Sequence, residues 1–222
     1  MKTHIYFLLD RTGSMASMAG DVIGGFNRFL AAQRADGDDA RMTLVQFDSQ
    51  DPLEILTDGV RISRVRDLTP ATFQPRGGTP LLDATGALIR HASRRVVRRR
   101  AASKADESIL FVTFTDGLEN ASHRFTHAEI RERVAGKEAE GWTFVYLGAA
   151  LDAYADAQAI GYGMRRMQAF APDAAGAHLA FDSLADETLA YRAAARLGAA
   201  PASREFFHDK PAEADRRRRR PR

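Results

Sequence analysis

Along the chain, short unbroken apolar runs alternate with longer stretches in which apolar positions recur every three or four residues. Residues 5–9 (IYFLL) and 144–147 (FVYL) are continuous apolar runs, and 109–114 (ILFVTF) is strongly apolar. Such runs suit strands buried on both faces of a parallel sheet. Residues 18–34 place Val22, Ile23, Phe26, Phe29 and Leu30 at helical spacing, which predicts a helix in spite of Gly24 and Gly25. Residues 42–47 (MTLVQF) and 53–56 (LEIL), joined by the polar turn DSQDP, predict an antiparallel hairpin at the sheet's edge.

The second half continues the alternation. A helix is expected over 80–91, with Thr79 as its N-cap and Pro80 at the first helical position, where the missing N–H is harmless. Thr126 and Glu129 have capping-box spacing before a helix that should end near Gly141. Residues 151–160 read as helix, 167–170 as a weak strand and 179–197 as a last helix. This order predicts an α/β fold: a doubly wound, mostly parallel central sheet with helices on both faces and one antiparallel edge hairpin. One domain over residues 1–200 is expected, with its core in 1–165 and an extension in 166–200, followed by a disordered basic tail over 201–222.

Composition narrows the function. The 222 residues include no cysteine, which excludes a disulfide framework, a thiolate metal site and a Cys nucleophile. The apolar segment after Lys2 is too short for a signal peptide, and no run approaches the roughly 20 residues of a membrane helix, so a cytoplasmic location is expected. The net charge is +3, yet DRRRRRPR at the end contributes +5. Taking that +5 from +3 leaves residues 1–214 at −2, so the basicity belongs to the tail and not to a folded face. No aromatic residues interleave with the tail or with residues 94–100 (RRVVRRR), and no nucleic-acid partner is expected. The latter run also suits a helix C-terminus.

In a doubly wound sheet, ligands bind beyond the carboxyl ends of the strands where the chain direction reverses. "LLDRTGSM" and "FTDGLEN" each put an aspartate at the end of a central strand. In the first, Asp10, Thr12 and Ser14 alternate about Gly13, so a tight loop can turn all three side chains to one point. Thr79 arrives on the Gly-rich loop RGGTPL, and Asp116 from the neighbouring strand end. Five hard oxygen donors with two formal negative charges, and neither His nor Cys, suit a small hard cation such as Mg²⁺ or Mn²⁺. Five groups, some acting through water, leave one octahedral position open.

These segments resemble the metal-ion-dependent adhesion site of the von Willebrand factor A family, whose pattern is Asp-x-Ser-x-Ser, then Thr, then Asp. DRTGS has Thr12 where Ser is usual and keeps the hydroxyl; GGTPL and FTDG match at Thr79 and Asp116. The resemblance covers roughly residues 1–165, and the opening segment looks like that of short stand-alone bacterial and phage members, including those associated with tellurium resistance. It implies a non-enzymatic protein-binding module in which a partner's carboxylate fills the open metal position, in a stress-response or phage-related assembly.

Two other readings remain. A phosphatase resembling the haloacid dehalogenase family also places an Asp after the first strand with Mg²⁺, but needs an acid two residues on, where Thr12 stands. A scaffold subunit with a purely structural metal differs only in leaving the open position unused. No GxxxxGK[ST], HExxH or GxSxG motif occurs. The acidic run 36–39 (DGDD) lacks EF-hand spacing and reads as a solvated turn. His123 and His127 read as surface residues, Trp142 as packing, and Glu119 with Asn120 as candidates for the rim of the site.

Overall fold

The three apolar runs lie in β1 (Lys2–Asp10), β4 (Glu107–Thr115) and β5 (Thr143–Ala149). With β2 (Ala40–Phe47), β3 (Glu54–Arg61) and β6 (Met167–Phe170) they form a six-stranded sheet in the order β3-β2-β1-β4-β5-β6. The computed structural model describes residues 1–149, 152–199 and 206–207. β1 pairs in parallel with both β2 and β4, β5 runs parallel to β4 and β6, and the pairing of β2 with β3 is antiparallel. The chain leaves β1 on one side toward β2 and β3, then returns to its other side as β4. The direction of winding therefore reverses between β1 and β4.

Alternation along β1 divides the interior in two. Ile5, Phe7 and Leu9 face α1 (Ala19–Ala35) and α5 (Ala174–Arg196), while Tyr6 and Leu8 join the layer under α2 (Leu81–Ala101), α3 (His127–Ala139) and α4 (Asp152–Ala159). On the first face Phe7 meets Phe26 edge-on at 5.3 Å, and Phe181 stacks on Phe114 at 4.5 Å. A Cβ at Gly25 would come within 2.3 Å of the Phe181 ring, so the close approach of α1 and α5 accounts for a glycine inside a helix. On the other face Trp142 is buried and stacks between Tyr6 and Phe144, as expected of a packing residue.

Several boundaries differ from the sequence expectation for physical reasons. β3 runs on to Arg61 because its polar residues occupy a half-exposed edge strand, where apolar alternation is not required. α2 runs ten residues beyond His91 to Ala101, so the run 94–100 closes this helix as its suitability for a helix C-terminus implies, with Arg94, Arg98 and Arg100 exposed and Arg95 and Arg99 half-buried. Its first residue is Leu81, with Pro80 rather than Thr79 in the capping position and no side-chain cap from either. α5 begins at Ala174, where the Asp173 carboxylate accepts from the Gly176 N–H at 2.7 Å, ahead of the expected start at Leu179. The capping box of Thr126 and Glu129 is formed, and α3 ends two residues before Gly141.

The acidic turn between α1 and β2 is ion-paired rather than merely solvated. Asp39 accepts from Arg192 and Arg196 of α5, each at 2.6 Å, and Asp36 also pairs with Arg196. Leu151 and most of the basic tail lie outside the described residues. Phe206 and Phe207 are buried, and both backbone N–H groups donate to the Arg165 carbonyl at 3.1 Å.

Candidate metal centre

The crevice at the β1/β4 reversal is built from three loops held together by backbone hydrogen bonds. Register between the strands pairs Leu9 with Phe114, which brings the end of β1, Asp10, alongside Thr115 and one residue short of Asp116. After β1 the chain turns into a 3-10 helical turn, Gly13–Met18. That loop is clasped to the Gly-rich loop: Gly13 N–H donates to Gly77 O at 3.0 Å, and Arg76 N–H to Arg11 O at 2.8 Å. Gly77 has φ +68°, a conformation that favours glycine. The Gly-rich loop is tied in turn to the loop after β4, where Asn120 N–H donates to Thr79 O and Thr79 N–H to Asn120 Oδ1 at 2.8 Å.

The five oxygen-bearing side chains singled out from the sequence come together here. Asp10 is fully buried; its Oδ1 accepts from Thr12 N–H at 2.7 Å and its Oδ2 from the Thr115 hydroxyl. Thr12 Oγ1 lies 3.2 Å from Ser14 Oγ, and Ser14 donates to Asp116 Oδ1 at 2.7 Å. Thr79 joins them from the third loop: a Cβ at Gly117 would stand 2.9 Å from Thr79 Oγ1 and 3.7 Å from Ser14 Oγ. Glycine at 117 thus keeps open the space that these hydroxyls share. Thr12 and Thr79 are buried, Asp116 is half-buried and Ser14 is exposed, so the group opens toward solvent on one side.

Burial dominates the electrostatics. It pushes the Asp10 carboxyl up to about 7; hydrogen bonds from Thr115 and Thr12 oppose the rise, and the Asp116 charge adds to it. Burial also raises Asp116, against the hydrogen bond from Ser14. The nearby arginines offer no compensation: Arg11 Nε donates to Asp48 Oδ2 at 2.7 Å, and Arg76 Nε to the same oxygen at 2.9 Å. Among the described residues no three His, Cys, Asp or Glu side chains gather as a metal cluster. The donor set here is two carboxylates and three hydroxyls, which matches a hard oxygen-seeking cation.

Two supporting residues, Thr115 and Asp48, carry no signal in the sequence, and a third, Glu119, has a different role from the expected one. Thr115 anchors Asp10, and nothing in "TFTDG" separates it from an ordinary strand threonine. Glu119 does not line the rim but replaces the missing cap of α2, accepting from Leu82 N–H at 2.8 Å and from Ala121 and Ser122. Its carboxylate offsets the positive end of the α2 dipole, which points at this same edge. Asp48 joins Arg11 and Arg76 beneath the clasped loops. His123 and His127 are both exposed and supply no donor to the group.

The sheet order and the flanking helices form a Rossmann-like α/β fold of the kind seen in von Willebrand factor A domains. The fold is similar to that of proximal thread matrix protein 1 from the mussel byssus, with a TM-score of 0.55 at 14% identity over 86% of this chain and 46% of that one. It is equally similar to the VWA domain of SpRpn10, with a TM-score of 0.54 at 10% identity over 82% of this chain and 95% of that one. The chain spans less than half the length of the mussel protein. No protein-family model matches the sequence, and no curated protein sequence matches it either. No helix among the described residues is long and apolar enough to cross a membrane.

Proposed function

We propose that the chain is a non-enzymatic protein-binding module in which Asp10, Thr12, Ser14, Thr79 and Asp116 hold Mg²⁺ or Mn²⁺, directly or through water, and in which the metal receives a carboxylate from a protein partner. The observation that supports this reading is the gathering of two carboxylates and three hydroxyls with no cationic side chain on them. Bound there, the cation supplies an electrophilic position for an anionic oxygen. The chain's own residues supply the rest. Thr115 and the Thr12 N–H orient Asp10, and the clasp of Gly13 to Gly77 holds Ser14 and Thr79 on one opening. Two acids balance a divalent charge only formally, so a third anionic oxygen is still attracted.

The same reading takes the protein as cytoplasmic and, on the likeness of its opening segment to short stand-alone bacterial and phage members, as part of a stress-response or phage-related assembly. A leaving-group acid for phosphatase chemistry is lacking at Thr12, so the binding reading is preferred over the phosphatase one. Calorimetric titration of Mg²⁺ and Mn²⁺ into the metal-free protein tests the site: saturable heat in the wild type and none in Asp10→Ala is expected, and equal or absent heats in both would overturn it. Capture of a native partner with and without chelator then separates the module, which loses it, from a scaffold, which keeps it.

A further inference from the structure

Away from the sheet edge, α2 and α3 bound a groove of about 870 Å³ that the metal site does not use. Its α2 wall carries Arg90, Arg94 and Arg98, four residues apart and therefore in one stripe at about 6 Å intervals. All three are exposed, and among the described residues none pairs with a carboxylate. Their neighbours behave differently: Arg95 and Arg99 reach Glu107, and Arg100 reaches Asp106. Like charges at this spacing destabilise a lone helix. On the same wall Val97 is 65% exposed, an apolar side chain left open to solvent beside Arg94 and Arg98.

The α3 wall has little to offer these arginines. Glu129 is occupied by the capping box with Thr126, Glu140 pairs with Lys137 at 2.7 Å, Arg133 lies over the Phe125 ring, and Glu132, though exposed in the groove, forms no ion pair with these arginines among the described residues. We infer that the groove docks an acidic amphipathic helix of a protein partner, its carboxylates on Arg90, Arg94 and Arg98 and an apolar side chain over Val97. Helical walls offer no free backbone ladder, so an occupant that satisfies its own backbone fits where an extended strand does not. A helix can turn its acidic stripe to the α2 wall and away from Glu129, Glu132 and Glu140 opposite, whereas a nucleic-acid backbone is anionic along its whole length and finds no aromatic among the groove-lining residues on which a base could stack.

The test uses fluorescence anisotropy with a panel of labelled helical peptides bearing glutamates at i, i+4 and i+8 and leucines between them. A lysine-for-glutamate peptide and a single-stranded DNA oligonucleotide serve as comparisons. Saturable, salt-sensitive binding of the glutamate peptides is expected, weakened about tenfold by Arg94→Glu and abolished by reversing all three arginines. Val97→Asp should weaken it too, while chelator and Asp10→Ala leave it unchanged, which separates this surface from the metal site. Circular dichroism of these surface variants checks that they fold. No saturable binding by any glutamate peptide, equal binding by Arg94→Glu, tighter binding of the oligonucleotide, or self-association removed by Arg94→Glu would each overturn the inference.

Discussion

β4 begins at one carboxylate and leads directly into another, and the two ends are built in opposite ways. At the amino end, Glu107 is buried among His4, Arg41, Arg95 and Arg99, with the Arg99 Nε at 3.1 Å. Burial alone would raise its carboxyl, but contact with His4 and the charges of His4, Arg99 and Arg95 outweigh it and hold the group below its usual range. At the other end, Asp116 and its neighbour Asp10 meet only hydroxyls and N–H groups, and both carboxyls are raised. An acid compensated from within stabilises the fold. Acids left uncompensated at a solvent-facing crevice lower stability, and a cation bound there would offset the cost.

The sharpest way to break the comparison is to remove the acid at each end. Glu107→Ala leaves Arg41, Arg95 and Arg99 facing one another around His4, whose pKa burial lowers, and should lower stability by about 2–3 kcal/mol in urea unfolding; fully buried pairs lose more, but these arginine side chains are 20–29% exposed. Asp116→Asn should stay within about 1 kcal/mol of the wild type without metal, since it removes a like charge, yet lose the Mg²⁺ heat.

A pH series sharpens the contrast further. Asp10 has a folded value of about 7, above its ordinary 3.8, so it favours folding below pH 3.8 and loses that contribution as the pH rises through 7. In chelator, the urea midpoint of the wild type should therefore fall relative to that of Asp10→Asn across this window. Saturating Mg²⁺ should remove the fall, because the cation takes the proton's place.

The smallest effect concerns Thr12. Thr12→Ser keeps the hydroxyl, so Mg²⁺ affinity measured by calorimetry should stay within about threefold, less than 1 kcal/mol. Loss of the buried methyl should lower stability by about 0.8 kcal/mol in the same urea assay.

How far the chain could be read in advance follows the same division. IYFLL, ILFVTF and FVYL mark the central strands because residues buried on both faces are apolar unless, like Thr113 with Tyr162, they find a hydrogen-bond partner, and the meeting of Asp10, Thr79 and Asp116 at one edge follows from strand order. The half-exposed β3 reads too short in the sequence because Thr57, Asp58 and Gly59 carry no apolar period. The start of α5 was missed because Ala174, Ala175 and Gly176 are small and give no facial signal. Glu107 and Glu119 were illegible as a charge hub and a helix cap for another reason. Their partners stand far off in sequence, Arg41 on β2 and Leu82 at the start of α2, and only the fold brings them together.

α2 has one more consequence. It starts two residues after Thr79 and passes Arg94 thirteen residues later, which at 1.5 Å per residue is about 20 Å along a rigid rod. The two proposed anionic grips are thus held at a set span, one that roughly six extended residues bridge. For a partner carrying an acidic helix and a separate carboxylate on such a tether, the second engagement becomes intramolecular, at millimolar effective concentration. The helix would then act as a ruler, selecting partners by the spacing of their acids as well as by their charge.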